Sequence, residues 1–395
     1  MPIEQTAVDT LSYALNTFYL LISAALVMWM AAGFAMLEAG LVRSKNTAEI
    51  LVKNMLLYAI ACVCYLLVGY RLMYGDVQTP SHAPAANFFF QVVFVATAMS
   101  IISGAVAERM KLKSFLVFCV VMCGFIYPIQ GSWSWGGGFL ADAGFRDFAG
   151  SGIVHLVGAA AALAGVLLLG PRKGKYGHSG AIYPIPGANM PLASLGTFIL
   201  WFGWFGFNAG SQLQLTGIDN TNAVAAAFVN TNAAAATGAI AAYVVTQWRW
   251  GKADLTMILN GALAGLVAIT AAPVTPSPYL ASAIGAGAGV LVIISIYALE
   301  RLRIDDPVGA ISVHGVVGIY GLLAVVWSDP EAQLLAQLIG IGVLAGWSFA
   351  VSAVVWWLLK RSMGLRIHAE AEYVGADVSE CGLEAYPEFV SVRRP

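Results

Sequence analysis

The chain has 395 residues, of which 59% are hydrophobic and only 10% charged, with a net charge of −1 and a mean hydropathy of +0.77. A soluble domain carries about a quarter charged residues, so this composition excludes a soluble globular protein and points to an all-α polytopic membrane protein. The near-zero net charge gives no pull toward nucleic acid, and none is expected as a partner.

The first 14 residues contain no Lys or Arg, so no cleavable signal peptide is expected. Apolar stretches long enough to cross a bilayer lie near 15–42, 50–74, 87–108, 114–132, 150–170, 190–211, 222–247, 254–272, 278–299, 308–328 and 333–360. That predicts eleven transmembrane helices over residues 1–363, followed by a cytoplasmic tail at 364–395. Charge supports the count. With the N-terminus outside, 18 of the 20 basic residues fall on inside segments, and only Arg71 and Arg146 fall outside. A missed span would scramble this alternation, so the rule for positive inside loops predicts a multi-pass cell-membrane protein with its C-terminus in the cytoplasm.

The chain also echoes itself. GFAMLEAG at 33–40 resembles GWFGFNAG at 203–210, and Asn46 and Asn54 are spaced like Asn222 and Asn230. Asp147 precedes His155 by eight positions, as Asp306 precedes His314. The echoes keep their order at offsets of 170, 176 and 159 residues. Spans one to five would pair with six to ten, and span eleven would stand alone. An odd number of spans per half gives the halves opposite topology, so an inverted 5+5 repeat plus a final helix is expected, with a site near the midplane.

The repeat predicts that His155 and His314 meet at mid-depth. An ionisable residue inside a membrane span is a candidate functional residue. Two neutral imidazoles, each with one donor and one acceptor nitrogen, would make a polar path or a proton relay. The alternative is two histidines that bond neighbouring helices for packing. A metal or haem site is not expected, since neither span places a second ligand beside its histidine. No cofactor is expected either. Asp306 is followed by Pro307 and reads as a helix cap. For Asp147, capping and cation stabilisation weigh equally.

The predicted outer segments gather aromatics near polar groups: Phe88, Phe89, Phe90 and Phe94, then Trp133 and Trp135, then Trp204, Phe205 and Phe207 beside Asn208 and Ser211. Such faces attract small cations, but an interfacial aromatic belt has the same composition.

The stretches DFAGSGIVH at 147–155, GWFGFNAGS at 203–211 and DDPVGAISVHGVVG at 305–318 resemble the ammonium transporter family (Amt/Mep/Rh), on its Amt branch. The resemblance runs from GFAMLEAGLVRSKN at 33–46 to GLEAY at 382–386. It implies an eleven-span inverted repeat, assembled in lipid as a homotrimer with one pore per subunit. It implies that Phe90, Trp135 and Ser211 bind ammonium at an outer site, with Asp147 as the essential aspartate nearby. Phe94 and Phe207 would form the gate, and His155 and His314 the pore lining. The tail at 364–386 would couple subunits, although Cys381 stands where many relatives carry histidine.

Two functions are therefore expected to compete. The first is an ammonium transporter, regulated by a PII-type protein that docks on the basic loop at 170–180 and on the tail. The second is an ammonium sensor reporting to a downstream signalling module, for which the ending PEFVSVRRP would be a stub. An enzyme is not expected, because no nucleophile–base pair or metal motif is apparent.

Overall fold

The computed structural model describes residues 3–75, 79–177 and 180–389, with side chains for those of them between 6 and 388. The segment PEFVSVRRP lies largely outside the described residues. The described chain is helical throughout, with no β-strand element beyond two isolated bridges. Among the described residues, ten helices are long and apolar enough to cross a membrane. They are α1 (Thr6–Leu41), α2 (Ser44–Tyr74), α3 (Pro84–Ala105), α4 (Leu112–Ser132), α5 (Ser151–Leu169), α6 (Met190–Gly210), α7 (Ile218–Trp250), α9 (Pro278–Arg301), α10 (Ile311–Ser328) and α11 (Leu334–Ser362). The stretch expected at 254–272 forms a shorter apolar helix, α8 (Leu255–Thr270). Its 16 residues span about 24 Å, less than the roughly 30 Å of a hydrocarbon core. From Leu259 to Thr270 every residue of α8 is buried, so it faces protein rather than lipid.

Backbones cross where glycine removes the side chain. A Cβ on Gly40 would lie 2.4 Å from the Ala193 nitrogen, and one on Gly196 would lie 2.3 Å from the Leu37 nitrogen. Gly33 abuts Leu200, and Gly203 abuts Met30. Rising positions in α1 meet falling positions in α6, so the two helices pack antiparallel through the glycines of the 33–40 and 203–210 echo. Small residues let membrane helices approach closely enough for van der Waals packing to hold them. The 46/54 and 222/230 echo does not carry over to partners. The Asn54 amide bonds Ile50, whereas that of Asn230 bonds Pro273 and Pro276.

The segments joining α1–α2, α3–α4, α5–α6 and α9–α10 converge on one face and are clamped by buried charge. Arg172 grips Asp305 with Nε and Nη2, each at 2.9 Å, and also faces Glu108 at 3.5 Å. Fully buried Arg109 donates to the carbonyls of Ala105, Ala107, Gly170 and Asp305. Lys175 pairs with Glu300 at 2.6 Å. This alters the expectation for 170–180 as a basic docking loop. Arg172 and Lys175 are spent on internal pairs, and Lys173 is the exposed cation among the described residues of that loop.

The tail folds back onto the same face. Asp377 accepts the Glu49 N–H at 2.8 Å, and Glu380 accepts the Leu112 N–H at 2.9 Å. Two tail carboxylates thus cap the first turns of α2 and α4, where backbone donors lack partners. Lys45 reaches the carbonyls of Glu372 and Tyr373, and Arg366 forks onto Glu372.

Burial opposes the charge on Asp305, but the Arg172 guanidinium overrides it and holds the carboxyl down at about 2. A depressed folded value means the pair stabilises fully above the unfolded value near 4 and loses that support as pH falls toward 2. Asp305→Ala, which strands Arg172, is expected to cost about 3–5 kcal/mol. Thermal unfolding in detergent should show this penalty, unchanged between pH 5 and 8.

Candidate functional site

Both expected Asp/His frames fold into the same local structure. Asp147 accepts N–H groups of Gly150, Gly152 and Ile153 at 3.1, 2.9 and 2.8 Å. Asp306 accepts those of Val308, Gly309 and Ile311 at 3.3, 3.0 and 2.7 Å. Three residues after each Asp, a glycine takes the left-handed conformation, with φ of 112° at Gly150 and 81° at Gly309. L side chains rarely adopt it. Each helix then starts with a wide π-type turn, Ser151–Leu156 and Ile311–Val316, that carries the histidine. Such turns are rare and concentrate at functional sites. Both aspartates therefore cap helices. The two glycines belong to the frame as well, a shared D-x-x-G that was visible in the two sequences but went unused.

The wide turns bring the histidines together. His155 Nδ1 lies 3.1 Å from His314 Nδ1, with the rings 5.0 Å apart at 23°. His155 is fully buried and His314 is 4% exposed. One Nδ1 must donate and the other accept. Of two neutral rings, one then presents a bare Nε2 and the other an Nε2–H. His155 Nε2 has no protein partner.

On the side away from the tail, a cavity of about 360 Å³ is lined by Phe90, Phe94, Trp135, Ser211, Gln91 and Asn87, among others. Phe90 and Phe94 sit 4.7 Å apart, and Trp135 meets Phe94 edge-on at 5.9 Å. Trp135 Nε1 donates to the Asp147 carbonyl at 2.9 Å, which ties the indole to the capped turn. The Ser211 hydroxyl donates to the Phe207 carbonyl, leaving its lone pairs free to accept. Phe94 and Phe207 stack at 4.1 Å and 30° beneath the cavity, and Phe207 stacks in turn on His155 at 5.4 Å. All eight residues singled out from the sequence thus lie along one line or brace it.

The remaining aromatics sort differently. Trp204 is buried against His155 at 5.1 Å and anchored by Thr270, rather than standing at the mouth. Phe34 flanks His314 at 6.2 Å. Phe205 stacks on Phe228 and Trp133 meets Trp347 edge-on, away from the line. Sequence reading missed the roles of Trp204 and Phe34 because hydropathy does not tell which way a ring points.

Rings leading to paired imidazoles inside an apolar helical body define a membrane protein with a narrow polar line through its core. Residues 18–386 match the family model "Ammonium Transporter Family". Ammonium transporter Amt2 of Archaeoglobus fulgidus is 42% identical, over 94% of this chain and 88% of the relative. A putative ammonium transporter of Synechocystis, sll1017, is also 42% identical, over 96% and 91%. Among solved structures, "Sensor Amt Protein" superposes with a TM-score of 0.90 at 34% identity, covering 94% of this chain and all of that one. Mep2 of Candida albicans superposes at 0.84 and 27% identity, over 95% and 91%. This chain belongs to the ammonium transporter family.

Each capping carboxylate holds several buried N–H groups, and stranding one buried donor costs about 1–3 kcal/mol. Asp147→Ala and Asp306→Ala should each lower the unfolding temperature clearly and by similar amounts. A stability loss confined to Asp306→Ala would show that the Asp147 cap carries no structural weight.

Proposed function

We propose that this chain carries ammonium across a cell membrane, with its N-terminus outside and its C-terminus cytoplasmic. Phe90, Trp135, Ser211 and Asp147 form the recruitment site, Phe94 and Phe207 the gate, and His155 and His314 the pore lining. The observation that carries this reading is the line from the 360 Å³ cavity through the stacked phenyl rings to the imidazole pair.

Moving a bare ammonium ion into a low-dielectric interior costs on the order of 20 kcal/mol by Born reasoning, and several kcal/mol after relaxation. The faces of Trp135 and Phe90 partly replace its water through their ring quadrupoles, and Ser211 accepts one of its N–H groups. Both Asp147 oxygens already accept backbone N–H groups, so Asp147 acts through its negative charge and by holding Trp135 and the helix start. A proton lost near the gate leaves ammonia, which is small and neutral enough to slip between phenyl rings. Ammonia then hydrogen-bonds along the imidazoles, while the proton travels separately through them. Transport is then electrogenic.

The architecture belongs to the same proposal: eleven spans in residues 1–363 with α8 as the eighth, an inverted repeat, and a tail at 364–395. The antiparallel α1–α6 contact supports opposed halves. So does the contact of α5 with α10, where Gly315 abuts Ala159 and Gly152 abuts Leu322, rising positions against falling ones. If α8 did not cross, α5 and α10 would run parallel. The homotrimer and a PII-type partner rest on family likeness. With Arg172 and Lys175 engaged internally, the tail is the better candidate for the docking surface.

The high structural similarity to "Sensor Amt Protein" favours one second reading, an ammonium sensor coupled to a signalling module. Ammonium-evoked current from purified protein on a solid-supported membrane separates the two. Transport predicts a current not evoked by potassium that is lost in Phe207→Ala and in the His155→Ala, His314→Ala double variant. Tight ammonium binding without current identifies a sensor. An unchanged current and selectivity in the double variant removes the relay.

A further inference from the structure

Past the histidine pair, toward the tail face, lies a second cavity of about 20 Å³, bordered by His314, Phe34, Asn260 and Glu38. A single water needs about 10–15 Å³ measured this way, so one fits. Glu38, in α1, is 1% exposed. Ser103 donates to its Oε2 at 2.6 Å. Its Oε1 receives no hydrogen bond of ordinary geometry, although the Asn54 amide lies beside it. A buried carboxylate with an idle oxygen is costly, and at membrane depth it marks function more often than packing.

The surroundings continue the path. Lys53 of α2, 1% exposed, lies near Glu38 and pairs with Glu49 at 3.7 Å. The Glu49 backbone is held by Asp377 of the tail, and Asp377 borders a cavity of about 370 Å³ together with Lys45 and Glu384. Glu38 thus stands between the small cavity under His314 and a buried series of titratable groups that ends at the tail.

We infer that Glu38 accepts the proton that leaves His314 and passes it toward the tail face. This rests on the reading that ammonia and the proton travel separately. In the step, the Nε2–H bond of the His314 imidazolium breaks and its proton joins a water in the cavity. That water gives one of its own protons to Glu38 Oε1. Positive charge leaves the ring, the carboxylate is neutralised, and nothing is oxidised or reduced. Ser103 keeps Oε2 occupied throughout, which leaves Oε1 as the receiving atom.

Glu38→Gln tests this, because the amide keeps the shape and the acceptor for Ser103 but cannot take a proton. Full-length protein reconstituted in vesicles gives two readouts: ammonium-evoked current, and the internal pH change driven by an ammonia gradient. The expected result is a current reduced by at least about tenfold with ammonia conduction retained. Wild-type current in Glu38→Gln overturns the inference. So does loss of both readouts in a variant with wild-type melting temperature, since Glu38 would then serve the conduit itself. If the wild-type protein conducts ammonia with no current, the separate-proton reading fails first and this inference falls with it. Should Glu38→Gln fail to fold, Glu38→Asp carries the test. The shorter carboxylate should pass a reduced current with an enlarged solvent deuterium isotope effect, and wild-type values of both overturn the assignment.

Discussion

Asp147 and Asp306 hold the centre of this protein. Backbone N–H groups at the start of a buried helix have no water to turn to, and an unsatisfied one is expensive. Each carboxylate gathers the donors that a wide first turn leaves free, and the left-handed glycine three residues later lets the chain double back to it. The same turn sets the direction in which the histidine points. The caps, together with the rings stacked on His155, keep two Nδ1 atoms 3.1 Å apart in an apolar interior.

Around that centre the protein separates two kinds of polar cost. On the tail face, buried charges are gathered against opposite charges or carbonyls: Arg172 with Asp305 and Glu108, Lys175 with Glu300, and Arg109 with four carbonyls. Along the line of rings and imidazoles, polar atoms are also left short of partners, among them His155 Nε2 and Glu38 Oε1. In the proposed mechanism, these are the atoms that would receive a proton or a small polar solute.

Much of this was legible in the chain. Hydropathy located the apolar helices, including the stretch at 254–272, and the spacing of Asp147, His155, Asp306 and His314 marked the histidines as a pair but not the shared capped turns that join them. The short α8 was harder to judge, because a helix buried on all sides needs neither the length nor the flanks of one bathed in lipid. Counting charge placed Arg172 and Lys175 on the same side as the tail, where the structure has them, but treated them as free, since a count does not distinguish a solvated cation from one gripped by Asp305 or Glu300. Trp204 and Phe205 are adjacent in sequence, yet one packs on His155 and the other on Phe228. Helical periodicity separates such neighbours by about 100° but does not say which faces the pore.

The Nδ1–Nδ1 bond gives the histidine pair a polarity that a single proton reverses. Suppose His155 begins with a bare Nε2 and its Nδ1–H points at His314. A proton arriving at Nε2 sends the shared proton across, and His314 releases its own. Both rings end in the opposite tautomer, so a second proton cannot follow by the same route until the pair is reset. Ring rotation is a poor way to reset it, because His155 lies between Trp204 and Phe207, stacked at 5.1 and 5.4 Å. Under the proposed relay, the centre of the line would behave as a one-bit register: each passage would write it, and its erasure would set a rhythm that no widening of the proposed gate could quicken.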